Sequence, residues 1–124
     1  MPTLLRALNR TRKTVLCERL ESATSLAEQS RGLLGRSRLE SGSGLLFVAG
    51  RLSPFMWMHM FFMRFPIDIV FLDGHNRVLT INHDLKPWRV SSIVIRARKA
   101  LELEAGAAAR SATAPGDEIG FEQA

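Results

Sequence analysis

The stretch Ile67-Asp68-Ile69-Val70-Phe71-Leu72-Asp73-Gly74-His75-Asn76-Arg77-Val78-Leu79-Thr80-Ile81-Asn82-His83 is two strand-like runs on either side of a turn cluster. β-branched and aromatic residues fill both runs, and Asp, Gly and Asn occupy the joint, which is the pattern of a β-hairpin. A two-residue turn at Gly74-His75 pairs Leu72 with Arg77, Val70 with Leu79, Asp68 with Ile81 and Pro66 with His83. In that register His83 is a diagonal neighbour of Asp68 on one sheet face, at about 7 to 8 Å. A three-residue loop with a bulge moves His83 to the other face.

The run from Met56 to Leu72 holds only three side chains that can be charged, His59, Arg64 and Asp68. Burying an unpaired charge costs several kcal/mol, so Asp68 must be paired, neutralised or set at a cleft. Arg64 is roughly 13 Å away along an extended strand, which makes Arg36 the better candidate partner. Further strands are expected over 13–20, 45–48, 56–62, 90–96, 100–104 and 118–121. Ser25-Leu26-Ala27-Glu28 is a capping box opening a short helix that Gly35 stops. Gly106 to Ala112 is read as a second short helix, and Pro115-Gly116-Asp117 as a turn. The expected fold is mainly β: a compact antiparallel sandwich or barrel-like single domain with one or two short helices. Residues 1–12 read as a basic flexible tail, and 13–124 as the domain.

The 124 residues suit one core, and 46% hydrophobic with 23% charged residues is a globular composition. Cys17 is the single cysteine, which excludes an intrachain disulfide and favours a reducing, cytoplasmic setting; it reads as a small core residue. No segment is long and apolar enough to span a membrane, so no membrane partner is expected. Seventeen basic residues against twelve acidic, fourteen of them arginine, favour an anionic ligand. Beyond the tail the arginines are scattered along the chain, and tyrosine is absent, so nucleic acid is not the expected partner.

From Thr14 onward the chain resembles the bacterial and archaeal family catalogued as domain of unknown function 192. Arg31-Gly32-Leu33-Leu34-Gly35-Arg36, Gly44-Leu45-Leu46-Phe47 and Met63 to Asp73 carry the resemblance. Leu85-Lys86-Pro87-Trp88-Arg89, Leu101 to Gly106 and Pro115-Gly116-Asp117 complete it in the same order. The resemblance implies a mostly antiparallel β domain with little helix, and it transfers no mechanism. His59-Met60-Phe61 stands where many members have His-Thr-Phe, and Glu104 where a proline is common.

The leading functional reading is a domain that binds a small anionic ligand or a protein partner at a cleft near Asp68. Arg36 would anchor the anion, His59 and His83 would exchange hydrogen bonds, Asp68 would orient them, and Lys86 with Trp88 would form a rim. The enzyme alternative makes His83 a general base oriented by Asp68. The chain lacks a phosphate loop, a nucleophile elbow and paired cysteines, so the reading leans away from an enzyme and names no cofactor. Met56, Met58 and Met60 with His59 offer thioether and imidazole ligands suited to Cu(I), although methionine at a period of two is also ordinary strand filler.

Overall fold

The computed structural model describes residues 4–22 and 39–124; the expected first helix and Arg36 lie outside the described residues. The described elements are β1 Leu4–Asn9, β2 Thr14–Ser22, β3 Ser43–Val48, β4 Phe55–Met56, β5 Ile67–Leu72, β6 Val78–Leu85, β7 Val94–Ile95, β8 Lys99–Glu104, α1 Ala107–Arg110 and β9 Ile119–Gln123. Seven strands form one sheet in the order β6-β5-β8-β3-β2-β1-β9, and β4 pairs with β7 in a separate ribbon. Neighbours run antiparallel except β2 and β3, which are parallel. The sheet curls until its ends meet: Arg77 and Glu118 form a bridge, Val78 N–H donates to the Asp117 carbonyl at 2.8 Å, and Ile119 N–H donates to the Asn76 carbonyl at 2.8 Å. The expected mainly β, barrel-like domain is the observed one.

Alternation along the strands separates two cores. Leu46, Val70, Leu72, Leu101 and Leu103 face one side together with Leu16, Leu20, Ala107 and Ile119. Leu45, Phe47, Ile67, Ile69, Phe71 and Ala100 face the other, with Met60, Met63 and Val94. Strand β5 is buried along its whole length because both cores need it, which explains why both of its faces are apolar apart from Asp68. Gly44 lets β3 approach β8, since a Cβ there would sit 2.8 Å from the Glu102 carbonyl oxygen.

Residues 4–9 are not a tail. Strand β1 lies between β2 and β9 and pairs with both, and Ala7 is fully buried. Its basic residue is a cross-strand partner: Arg6 reaches Glu18 at 3.6 Å and Glu122 at 3.4 Å.

The hairpin register also differs from the two-residue expectation. Asp73 N–H donates to the Arg77 carbonyl at 3.0 Å, which closes a three-residue loop, and Asn76 rather than Gly74 takes the left-handed conformation at φ 61°. Asp73 Oδ1 accepts from the His75 and Arg77 N–H groups at 2.8 and 3.0 Å. Leu72 therefore faces Val78, Leu79 is skipped, Val70 faces Ile81, and a second irregularity brings Leu85 opposite Ile67.

Candidate functional site

Asp68 is fully buried and ends the inner face of β5. Its Oδ1 accepts from Asp84 N–H at 2.9 Å, and its Oδ2 accepts from Gly106 N–H at 3.1 Å and Ala108 N–H at 3.0 Å. Three backbone donors satisfy the carboxylate and tie the end of β6 and the first turn of α1 to β5. His83 is exposed one residue before the bulged Asp84, whose φ is 49°. The sequence reading brought the right end of β6 to Asp68, but the group that arrives is the Asp84 amide rather than an imidazole. Among the described residues no hydrogen bond joins Asp68 to His83.

Two other predicted residues do converge. His59 forms a bridge with Val90, and Trp88 N–H donates to the Met60 carbonyl at 2.7 Å while Met60 N–H donates to the Arg89 carbonyl at 2.7 Å. These bonds place the rings of Trp57, His59, Phe61, Trp88 and Phe62 in a continuous row, with successive centroids 6.3, 4.8, 6.3 and 4.8 Å apart. Lys86 sits two residues before Trp88 and holds Asp84 Oδ2 at 2.6 Å, so it remains a rim residue.

The row belongs to a ribbon that extends the β4–β7 pair. Phe55 lies opposite Ile95 and Met56 opposite Val94, after which the Ser91 hydroxyl accepts from Met58 N–H at 2.8 Å and interrupts a regular ladder. That interruption is why strands expected over 56–62 and 90–96 are short. Over 55–61 the even positions point inward: Met60 is buried and Met56 and Met58 pack against the same core as the buried Met63, so the methionine stripe is the ribbon's inner lining. Odd positions point out, and Phe55, Trp57, His59 and Phe61 are all exposed.

An outward strand face is normally polar, yet this one is apolar. Phe62 is 69% exposed, Trp88 59%, Ile93 and Ile95 68% each, and Leu52 92%. Phe62 and Trp88 also hold left-handed backbone, at φ 65° and 68°. Bulky residues rarely adopt that region, and such strain gathers at working surfaces.

Charge is concentrated in the same place. Segments 48–66 and 85–98 contain Arg51, Arg64, Lys86, Arg89, Arg96 and Arg98 and no acidic residue, leaving eleven basic against twelve acidic in the rest of the chain. The chain's net positive excess therefore lies in the segments that build the ribbon, which carry five of its fourteen arginines. Arg98 is committed to the carbonyls of Ser53 and Gly50. Arg51, Arg64, Arg89 and Arg96 are exposed and make no ion pair among the described residues. The missed signal was legible as two acid-free segments in which both parities are apolar.

Cys17 is buried, and that burial pushes its thiol up to about 11, which suits a core residue and not a nucleophile. Among the described residues no group of three or more His, Cys, Asp or Glu side chains could hold a metal, and no helix is long and apolar enough to cross a membrane.

Fold and surface together define a small curled β domain with an aromatic ribbon on its outer side. The family model DUF192, described as Uncharacterized ACR, matches residues 7–121, and the chain belongs to that family. A protein of unknown function from Novosphingobium aromaticivorans DSM 12444 shares the fold at a TM-score of 0.79 and 25% identity, covering 96% of this chain and 84% of that one. A protein from Sinorhizobium meliloti 1021 proposed as a transcription regulator has a TM-score of 0.81 at 22% identity, covering 98% and 94%. No curated protein matches the chain.

Proposed function

We propose that this protein is a binding domain that engages an anionic partner through the outer face of its ribbon. The observation that carries the reading is the coincidence of an exposed apolar row with the chain's entire positive excess. His59, Lys86 and Trp88 are retained from the sequence-based site, Trp57, Phe61, Phe62, Arg89 and Arg96 are added, and Asp68 becomes a structural residue. The enzyme reading has no oriented base to support it, because the hydrogen bonds that Asp68 accepts come from the backbone of Asp84, Gly106 and Ala108 and not from His83. The copper reading is weakened by the inward turn of the methionines, which spends their thioethers on packing.

Both tryptophans lie on this face, so their two indole N–H resonances report on it directly. The test is titration of labelled protein with four anionic probes: oligothymidylate, a sulfated disaccharide, a polyglutamate peptide and phosphatidylglycerol bicelles. At least one probe is expected to shift both indole signals and the amides of 88–96. Failure of every probe to move either indole, or changes confined to the surroundings of Asp68 and His83, would overturn the reading.

A further inference from the structure

We infer that the partner of the ribbon face is an anionic phospholipid surface, on which the domain lies without crossing it. The inference rests on the binding reading above and names its partner. No spanning helix is needed, since peripheral association requires only an apolar face that enters the headgroup boundary and basic residues that meet the lipid charge.

Three features select a bilayer over the other anionic partners. The side chains that stand out furthest are a mixture of aromatic and aliphatic groups, with Leu52 in the 50–53 turn, Phe62 in the 61–62 turn, Trp88 in the 87–88 turn and Ile93 and Ile95 beside them. Aliphatic groups enter hydrocarbon but offer no π-face to a nucleobase. His59 and Phe61 also spend their faces on one another, stacking at 4.8 Å with planes 20° apart, which leaves little room for a base inserted between them. Finally, basic residues border the apolar tips one by one. Arg51 precedes Leu52, Arg64 follows Phe62 by two, Arg89 follows Trp88 and Arg96 follows Ile95. Tryptophan and phenylalanine among arginines is the composition of a membrane interface.

A second copy of the chain is disfavoured as the occupant. Face-to-face docking would oppose Arg51, Arg64, Arg89 and Arg96 with the same four arginines and supply no carboxylate to answer them. An acidic protein surface could meet the charge, but its carboxylates would have to pack against Leu52, Phe62, Trp88, Ile93 and Ile95, the most exposed large apolar side chains among the described residues.

The experiment is co-sedimentation of the full chain with vesicles of phosphatidylcholine alone and of phosphatidylcholine mixed with phosphatidylglycerol, with tryptophan emission read in parallel. Binding is expected only with phosphatidylglycerol, with emission shifted to the blue and affinity falling as salt rises. The double substitution Phe62→Ser with Ile93→Ser should weaken binding by about tenfold or more, as should Arg89→Glu with Arg96→Glu. These positions are exposed, so circular dichroism should be unchanged; if Phe62→Ser disturbs the turn, Phe62→Gly with Ile93→Ser repeats the test. Absence of vesicle binding while oligothymidylate or polyglutamate shifts the indoles would overturn the bilayer and leave the binding face standing. Vesicle binding that both double variants retain in full would overturn the bilayer at this face and the binding reading with it.

Discussion

Asp68 illustrates how a buried carboxylate can be wholly structural. Three backbone N–H groups from two distant segments use both of its oxygens, so the amide of Asp68→Asn would turn a donor toward donors. We expect a loss of about 2 to 4 kcal/mol in urea unfolding, with faster exchange of the Gly106 and Ala108 amide protons. His83→Ala should change stability by less than about 0.5 kcal/mol, because the imidazole is exposed. Equal effects of the two substitutions would refute this assignment. Glu102 is the contrasting case. Burial alone pushes its carboxyl up to about 7 in the core that contains Ile69 and Phe71. Between its ordinary value of 4.5 and about 7 the folded state keeps a proton that the unfolded state has released. Stability should therefore fall as pH rises through that window, by about 3 kcal/mol in all. Glu102→Gln removes the titrating group, so its unfolding free energy should lose that decline and exceed the wild type's at pH 8.

At the scale of the element, the ribbon keeps bulky residues where glycine would be easier. Phe62 and Trp88 at φ 65° and 68° each carry strain of order 1 kcal/mol that Phe62→Gly or Trp88→Gly would relieve. Both side chains are more than half exposed, so little packing is lost in return. Each substitution is expected to leave the thermal midpoint unchanged or raised while weakening partner binding. A clear drop in the midpoint would mean that the rings hold the turns together. How far the elements were legible follows the same physics. Strand β5 is apolar except for Asp68 and is bounded by Pro66 and Asp73, and its limits were readable to the residue. The register of β6 was not, because left-handed Asn76, skipped Leu79 and bulged Asp84 each add a residue that periodicity does not announce. The ribbon was hidden by its inner half: the methionine stripe attracted the functional question, while the odd positions between them formed the exposed face. His59 and Trp88, read from the sequence as parts of a cleft near Asp68, stand instead in the exposed aromatic row.

For the whole molecule, the decisive feature is that the curled sheet has its first strand near its closing seam. Among the described residues strand β9 has only β1 as a full-length partner, and its other approach is the short bridge of Arg77 with Glu118. The seam is reinforced by a buried polar group set. Asp117 accepts from Asn9 Nδ2 at 2.9 Å, Arg12 Nε at 3.1 Å and Ala114 N–H at 2.9 Å. Burial opposes ionisation of Asp117, but those donors outweigh it and hold the carboxyl below its ordinary range. Its contribution is thus present above the ordinary carboxylate range and is lost as pH falls through the lowered value. Deleting residues 1–9 would remove β1 and Asn9 together, leave the edges of β2 and β9 unpaired, and open the buried Leu20 and Ile119 to solvent. A dispensable basic tail would leave thermal unfolding unchanged and lower only the affinity for anions. An integral strand predicts loss of the cooperative transition, or a midpoint lowered far beyond the few degrees that a single surface contact is worth. Differential scanning calorimetry of the truncated chain separates the two, and a retained transition of full enthalpy would return residues 4–9 to the status of a tail.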